Sequence, residues 1–404
     1  MLNAYFSRPL LARKLVDDLT GRSLFSDAGN GLFLAAPRRT GKSAFLNNDL
    51  KPALEGEGIL VVYVDLWSDK ERDPADLIAE KIGDCLDQNL GLISKAAKAS
   101  GLKSASLGGL SIDTSKIGKV DGTTLHHALK ALHELANKPV ALMIDEAQHA
   151  LTSEHGENAM AALKSARDQM NKPGSTSLLL IMTGSDRDKL MRLVNTNAAA
   201  FYGSSIYPMP ELDHHYVEFL SSLIEDFVPA VGKVDRETLA KAFDAVGHRP
   251  QFMRNILKPV LDPANDPAPG FEKTVLVMAR VRQESDGRQL ESDYLALSPL
   301  EQAIIWRLLE KRHGFKPYDA DALRFYKEKT GHGATAQQVQ NALRKLRDQE
   351  DSLIWKSARG EYAVQDAAMT QWYEIRKSRN EWPPGNDDDF SDADDSPPVE
   401  DMNS

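Results

Sequence analysis

The chain has 404 residues, a net charge of −10 and a single cysteine, Cys85. That length suffices for two or three domains with cores of their own, and one cysteine excludes an intramolecular disulfide and a cysteine-rich metal site. Residues 383–404 carry eight acidic side chains and no lysine or arginine, and taking these eight charges from the total of −10 leaves −2 for residues 1–382. The overall charge therefore neither favours nor excludes nucleic acid as a partner, and the acidic tail is expected to be disordered.

The N-terminal residues predict an amphipathic helix. Arg8, Arg13, Lys14 and Asp17 interrupt the apolar positions that a secretory signal would keep uninterrupted. No apolar run approaches the roughly 20 residues that a membrane-spanning helix requires. Since a lone cysteine also suits a reducing compartment, the sequence predicts a cytoplasmic protein.

Short apolar runs alternate with helical patterns from residue 30 to residue 210, which is typical of an α/β fold with a three-layer parallel sheet. Between the second and third runs, Ile93–Val120 is rich in Gly, Ser and Lys and predicts a hairpin or a mobile loop. The predicted strands are Gly31–Ala35, Ile59–Leu66, Val140–Ile144, Leu178–Thr183 and Ser204–Met209.

Two helices are predicted after the sheet, Asp213–Phe227 and Asp235–Val246, the second with an Asp cap at its start and Gly247 at its end. They suggest a small helical lid. The proline-rich segment Leu261–Gly270 has no periodicity and marks a domain boundary.

The C-terminal part shows three helical patterns followed by two strand-like runs, the order of an α+β winged-helix domain. Thr335 is the expected N-cap of the third helix, and Ala358–Gly360 is the expected hairpin turn. The elements are Ser298–Lys311, Asp319–Thr330, Thr335–Gln349, Ser352–Lys356 and Glu361–Gln365.

A Walker A sequence, APRRTGKS, follows the first strand and opens a helix. In this motif consecutive backbone N–H groups wrap phosphates, Lys42 neutralises the terminal phosphates, and the Ser43 hydroxyl reaches Mg²⁺. The predicted nucleotide-binding residues of the loop are Ala36, Pro37, Arg38, Arg39, Thr40, Gly41, Lys42, Ser43 and Ala44. The competing interpretation is a chance G-K-S at the start of a helix.

Ala36 occupies the position where this motif usually has its first glycine. If the position requires a positive φ, alanine would strain the loop, although Gly41 is retained.

The partner motif is VALMIDEAQ, an apolar strand that ends in two carboxylates. Asp145 is the predicted magnesium ligand, together with Ser43, and Glu146 is the predicted base that polarises the water attacking the γ-phosphate. Gln148 either orients water or faces solvent. Without the upstream loop, the two acids would be read as a solvated strand end.

Two further positions are candidates for sensing the γ-phosphate. Thr183 or, by preference, Ser185 lies at the tip of a strand expected between the Walker A and Walker B strands, although it could equally cap the following helix. Arg249, in the sequence GHRP between two lid helices, could reach back to the phosphates or be a surface arginine.

Together, APRRTGKS, IDEAQ, the TGS strand end and AFYGSS resemble the archaeal-ATPase-like branch of the STAND and AAA+ related P-loop proteins, over about Met1 to Leu261. The resemblance implies an ATPase core joined to a C-terminal winged helix, with Phe6 and Arg8 near the adenine. Ser204 departs from it, since relatives often carry arginine there. His214 and His215 are interpreted as structural, because adjacent helical side chains point to different sides.

The third helix of the C-terminal domain is a candidate DNA-recognition helix. Residues 297–382 hold 15 basic and 12 acidic side chains, a modest surplus for DNA, and winged helices also dock proteins. The candidate DNA contacts are Arg344, Lys345, Arg347, Lys356 and Arg359.

The sequence thus predicts an ATP- and Mg²⁺-dependent switch that hydrolyses ATP slowly or on stimulation by a partner, has a DNA- or protein-binding output, and forms a nucleotide-dependent oligomer. The alternative is an adaptor without significant turnover, and an accessory ATPase of a mobile element or anti-phage system is a further setting. The predicted domains are an ATPase core (1–210), a lid (211–262), a linker (263–296), a winged helix (297–382) and a tail (383–404).

Overall fold

The computed structural model describes residues 5–69, 71–99, 117–118, 122–185, 187–194, 199–349, 352–356 and 360–385, with the backbone alone for residues 92–99, 188, 313 and 367. Most of the predicted hairpin or loop over Ile93–Val120, and the predicted disordered tail beyond residue 385, lie outside these ranges. Residues 93–99 correct the first prediction, because they complete a helix, Pro74–Ala99. Their sequence, ISKAAKA, is rich in the helix formers Ala and Lys.

The described residues form two compact units. The first unit contains the chain up to Gln283 together with Ile354–Ala367, and the second contains Glu284–Leu353 together with the described residues from Ala368. These boundaries differ from the predicted domains in two ways. The predicted linker carries a 25-residue helix, Phe271–Leu295, and the predicted wing belongs to the first unit.

A five-stranded parallel sheet lies at the centre of the first unit, as predicted, in the order β2-β3-β4-β1-β5. All five strands fall on predicted runs, because β-branched and aliphatic residues suit strands that are covered on both faces. The strands are β1 (Leu32–Ala35), β2 (Leu60–Asp65), β3 (Val140–Asp145), β4 (Leu178–Gly184) and β5 (Ile206–Pro208).

Helices cover both faces of this sheet. Successive residues of β1 point to opposite faces, so that Leu32 and Leu34 belong to one buried cluster and Phe33 and Ala35 to the other. The first cluster packs against α1 (Pro9–Leu19), α2 (Lys42–Phe45), a π-helical turn (Leu46–Leu50) and α3 (Lys51–Gly56). The second packs against α4 (Pro74–Ala99), α5 (Leu125–Ala136), α6 (Glu154–Met170) and α7 (Arg187–Met191).

The helical lid follows β5 and has a core of its own. The carboxylate of Asp235 caps the second lid helix as predicted, since it accepts hydrogen bonds from the backbone N–H groups of Glu237 and Thr238. The helices that build this core are α8 (His214–Phe227), α9 (Arg236–Ala245), α10 (Pro250–Val260) and the first half of α11 (Phe271–Leu295).

The second unit is helical. Ser298 and Thr335 each form a capping box, with Glu301 and Gln338 respectively, so the sequence marks where two of its helices begin. The helices are α12 (Pro299–Lys311), α13 (Ala320–Thr330), α14 (Ala336–Asp348) and α15 (Ala367–Ser378). The antiparallel hairpin of β6 (Ile354–Lys356) and β7 (Tyr362–Val364) follows α14 in the chain and belongs to the first unit. The order of three helices and a hairpin is as predicted, and assignment as a winged helix remains a prediction.

Within the described part of the chain, no helix combines the length and the apolar character that crossing a bilayer requires.

Candidate functional site

The loop between β1 and α2 takes the turn that the Walker A sequence predicts. Gly41 has a φ of 91° and is the N-cap of α2, which begins at Lys42. Ala36 is not among the residues with a positive φ, and its N–H donates to the carbonyl of Gly184 at 3.0 Å, so alanine there introduces no left-handed strain. Besides Gly41, the loop residue Arg39 adopts a positive φ, at 69°.

Lys42 is buried between the two predicted acids. Its Nζ lies 2.7 Å from Glu146 Oε1, contacts Asp145 Oδ1, and lies 3.4 Å from Thr183 Oγ1. Lys42 is 5% exposed and Asp145 is 2% exposed, so this ion pair is removed from water. The structure therefore brings Lys42, which follows β1, together with Asp145 and Thr183 at the ends of β3 and β4, 103 and 141 positions later in the sequence.

Asp145 is the most heavily hydrogen-bonded group of the site. Its Oδ2 accepts a hydrogen bond from Ser43 Oγ at 2.6 Å and one from Tyr63 OH at 3.2 Å. Burial alone would raise the pKa of Asp145, but the Lys42 ammonium and hydrogen bonds from Lys42, Ser43 and Thr183 outweigh it and hold the pKa below its usual value. Asp145 is therefore an ionised carboxylate at neutral pH.

Glu146 follows in a left-handed conformation, with a φ of 55°, which turns its side chain toward the tip of β4. Its Oε2 accepts hydrogen bonds from Ser185 Oγ at 2.7 Å and from Gln148 Nε2 at 2.6 Å. Burial again raises the pKa, yet the Lys42 charge and these hydrogen bonds lower it overall. The two sensor candidates have different carboxylate partners, since Ser185 contacts Glu146 and Thr183 contacts Asp145, and the preference for Ser185 remains a prediction.

Gln148 is 1% exposed, so of its two predicted settings the structure excludes the one in which it faces solvent. A Cβ placed on Gly184 would lie 2.7 Å from Gln148 Oε1. Glycine at the end of β4 thus leaves the space that the Gln148 side chain fills.

Two residues of β2 belong to the site and were missed by the sequence analysis. Asp65 pairs in register with Asp145, and burial, followed by repulsion from Asp145 and Glu146, raises its pKa. Tyr63 reaches Asp145 from the same strand. The signal for Asp65 was present, because β2 is also an apolar run that ends in a carboxylate.

A cavity of about 590 Å³ opens in front of these groups within the first unit. Its walls come from the Walker A loop, the strand ends, the N-terminal segment and the lid. Lining residues outside the loop include Tyr5, Phe6, Arg8, Asp65, Trp67, Asp145, Glu146, Leu212, Tyr216, Pro250, Gln251 and Arg254.

The N-terminal segment is held in this wall by Asp49 of the π-helical turn. The Asp49 carboxylate accepts hydrogen bonds from Tyr5 OH and Ser7 Oγ, both at 2.5 Å, and from the Arg8 backbone N–H at 2.9 Å. Phe6 stands edge-on to Tyr216 of the lid, with ring centroids 5.8 Å apart. Phe6 and Arg8 therefore line the cavity, and their position near the adenine remains a prediction.

Arg249 is the N-cap of α10, and its guanidinium lies 5.4 Å from the centre of the Phe252 ring. It is not among the described residues that line the cavity, whereas Arg254, one turn further along α10, is. The lid does face the loop, but with a different arginine from the predicted one.

His214 and His215 do not point to different sides of α8, as the sequence analysis expected. Their ring centroids are 3.9 Å apart, and Asp213 Oδ1 lies 3.1 Å from His215 Nδ1. The reason is that Asp213 caps the helix and attracts the His215 ring back to its first turn. All three residues are exposed.

The first unit has a Walker A loop between β1 and α2, and β4 lies between β1 and β3, the strand that ends in the two acids. This arrangement defines a P-loop α/β fold. The sequence matches no known protein-family model and no curated protein.

Solved structures with a similar arrangement include the Aeropyrum pernix ORC2 protein in ADPNP-ADP complexes, with a TM-score of 0.47 and 16% identity over 92% of this chain and 93% of that one. The Aeropyrum pernix ORC1 protein in complex with DNA gives 0.43 and 11% over 93% and 94%. AMPPCP-bound DnaA from Aquifex aeolicus gives 0.37 and 13% over 93% and 94%. At such scores and identities, the function has to be argued from the residues of this chain.

Proposed function

We propose that the first unit binds ATP with Mg²⁺ in this cavity and hydrolyses it slowly, as a conformational switch. The observation that carries the proposal is the position of Lys42, the first residue of the helix after the loop. Its buried ammonium forms ion pairs with both Asp145 and Glu146. One ammonium between two ionised carboxylates leaves this buried cluster with a negative charge, which a bound cation would offset.

The donor set suits magnesium. Ser43 Oγ and Asp145 Oδ2 are hard oxygen donors 2.6 Å apart, beside the loop that would hold the phosphates. These two side chains would hold the ion, which when bound neutralises charge on the phosphate oxygens.

The protein groups then have separate tasks. The loop N–H groups and the Lys42 ammonium bind the phosphate oxygens and fix the terminal phosphoryl group in place. Glu146, ionised because of its lowered pKa, accepts the proton of the attacking water. Ser185 and Gln148 hold Oε2 of Glu146, and Oε1, which Lys42 contacts in this structure, becomes available to the water once Lys42 binds the phosphates.

The test is phosphate release by the full chain, together with binding of a fluorescent ATP analogue. We expect turnover that Glu146→Gln abolishes while ATP still binds, and Lys42→Ala should lower ATP affinity by about 100-fold, since a charge-assisted contact contributes about 2–3 kcal/mol. Tight binding with no turnover in the native chain would instead support the adaptor. Unchanged ATP affinity in Lys42→Ala would refute the site.

We propose duplex DNA as the ligand of the second unit, through the exposed face of α14. Arg344 is exposed and has no ion-pair partner among the described residues, whereas Arg347 pairs with Asp348 and Lys345 pairs with the buried Glu301 at 2.9 Å. Arg344 is thus the α14 side chain best placed to contact a phosphate or a base edge.

The hairpin offers less to DNA than the sequence suggested. Lys356 lies 5.6 Å from the Tyr362 ring, and Arg359 lies outside the described residues. Fluorescence anisotropy with labelled duplex should show binding that weakens with salt and is reduced by Arg344→Ala. Lys51→Ala, at a partly exposed lysine of α3 in the first unit, is the control. No binding at low salt would favour a protein partner. Whether ATP promotes an oligomer is tested by sedimentation with and without nucleotide.

A further inference from the structure

The hairpin of β6 and β7 packs against the segment that follows β4 in the first unit. Trp355 of β6 is 5% exposed and Ala363 of β7 is 7% exposed. Both belong to the same hydrophobic cluster as Leu190 and Leu193. The hairpin is therefore part of the core beside the candidate site, and its apolar residues are not displayed at the surface.

Two buried basic side chains, Lys189 and Arg192, hold the hairpin in this position. Lys189 is 2% exposed and its Nζ donates to the main-chain carbonyl of Gln365 at 2.9 Å. Arg192 is 7% exposed, donates to the main-chain carbonyl of Tyr362, and forms an ion pair with Glu361 at 3.0 Å. Lysine and arginine are rarely buried unless they are paired, and in this structure they bind the hairpin.

The same short segment begins at the candidate catalytic centre. Ser185, four positions before Lys189, donates to Glu146 Oε2 through its hydroxyl at 2.7 Å and through its backbone N–H at 3.3 Å. Ser185 at the end of β4 thus contacts the predicted base, and Lys189 and Arg192, four and seven positions later, contact the hairpin. A change in the bonding of Glu146 acts directly on the segment that holds the hairpin.

The docked arrangement is also incompletely bonded. Arg192 Nε and Trp355 Nε1 are buried with no hydrogen-bond partner in the described part of the structure. Both groups regain hydrogen bonds to water when the hairpin leaves, which narrows the free-energy difference between the docked and released states. Such a narrow difference is what a ligand needs in order to shift the equilibrium.

We propose that the hairpin is a latch that responds to nucleotide. Lys189 and Arg192 hold it on the first unit while Glu146 is bound by Lys42 and Ser185. A bound triphosphate draws Lys42 away from Glu146 Oε1 to the phosphates, and Glu146 turns that oxygen to the water. Ser185, which stays bonded to Oε2, moves with it, and the shift of the segment after Ser185 releases the hairpin. This inference rests on the nucleotide site proposed above.

Hydrogen–deuterium exchange of the full chain tests the latch. Uptake in peptides covering Ile354–Lys356 and Tyr362–Val364 is compared without nucleotide and with Mg²⁺ and a non-hydrolysable ATP analogue, whose binding is measured in the same samples. We expect hairpin uptake at early times to rise at least about threefold with the analogue. Absence of binding would remove the proposed function and the latch with it. Saturated binding with unchanged hairpin uptake would overturn the latch alone.

Variants test the fastening without nucleotide. Arg192→Gln should raise hairpin uptake to about the level seen with the analogue, and Glu361→Gln, which removes the ion pair but keeps the carbonyl contact, should raise it less. Lys164→Gln, at an exposed ion pair of α6, is the matched control and should leave uptake as in the native chain. Circular dichroism reports whether Arg192→Gln folds, and Glu361→Gln remains informative if it does not. Native-like hairpin uptake in folded Glu361→Gln and Arg192→Gln would overturn the role of these contacts.

Discussion

Gln148 Nε2 lies 2.6 Å from Glu146 Oε2, and the Gln148 side chain is almost fully buried. Gln148 stands two positions after Glu146 on the 3₁₀ turn that follows β3, Ala147–Thr152. The amide therefore holds the predicted base from behind, on the side away from Lys42. Because the buried Gln148 amide holds Oε2, the orientation of Glu146 depends in part on a residue that does not line the cavity.

Gln148→Leu should lower the rate of ATP hydrolysis about tenfold, because a mispositioned base raises the barrier by about 1.4 kcal/mol. ATP affinity should stay near that of the native chain, since Gln148 does not line the cavity. Phosphate release and analogue binding measure the two effects separately. Gln169→Leu, on the exposed part of α6, is the control, and equal turnover in both variants would contradict the role of Gln148.

Gly184→Ala should reduce stability by about 1–3 kcal/mol, because the new methyl group overlaps Gln148 Oε1 in a packed interior. Thermal unfolding measures the loss. Gly29→Ala, where a Cβ meets open space, serves as the control. The double variant Gly184→Ala/Gln148→Ala removes the overlapping atom and should regain most of the stability, and a simple sum of the two losses would show that the clash lies elsewhere.

Lys42→Met should destabilise the chain by about 3–5 kcal/mol at pH 7, because it leaves the buried carboxylate of Asp145 and the partly buried one of Glu146 without their cation. The pKa values of Asp145 and Glu146 are lowered in the native chain, so the stability from this cluster is present above their unfolded values, near 4, and is lost as the pH falls through the folded values. In the variant, burial raises both pKa values and the acids become neutral at a higher pH.

The stability difference between native chain and Lys42→Met should therefore shrink as the pH is lowered from 7 to about 4. Denaturant unfolding at several pH values measures it. Lys51→Met is the control, since Lys51 lies 3.9 Å from Glu55 at an exposed site and should show a small, flat difference. A difference that grows toward acid would contradict the ion-pair description.

Arg254→Ala should weaken ATP binding about tenfold, and Arg249→Ala by clearly less, because Arg254 lines the cavity and Arg249 stacks on Phe252. Analogue titration compares the two variants, and each serves as the control for the other. A larger loss of ATP affinity in Arg249→Ala than in Arg254→Ala would mean that the lid arginine predicted from the GHRP sequence reaches the phosphates once nucleotide is bound.

Local sequence patterns were enough to predict the five strands of the sheet and the part of the candidate site that lies in the Walker A loop and at the end of β3. Each buried strand is a continuous apolar run, and Lys42 and Asp145 stand in motifs whose spacing follows from phosphate geometry. Tyr63 was not predicted, because its contact with Asp145 joins residues 82 positions apart and depends on the register of β2 beside β3. Nothing in the run LVVYVD distinguishes a tyrosine that reaches a carboxylate from one that packs.

The hairpin shows the other limit of sequence reasoning. Its two strands were predicted within one or two residues, because alternation and a turn are local properties. Its position in the fold was not predicted, since Arg192 and Tyr362 are 170 positions apart. A short helix with Lys189, followed by Arg192, looks like ordinary solvated surface in the sequence. Burial of cations can be recognised only once the fold is known.

The contacts of Asp49 make residues 5–8 part of the folded structure of the first unit. A protein shortened to begin after Arg8 would bury this carboxylate without the two hydroxyl groups and the amide that it now binds. It would also lose the aromatic ring that Phe6 places against the lid. Expression plasmids should therefore keep this segment intact and place purification tags at the far end.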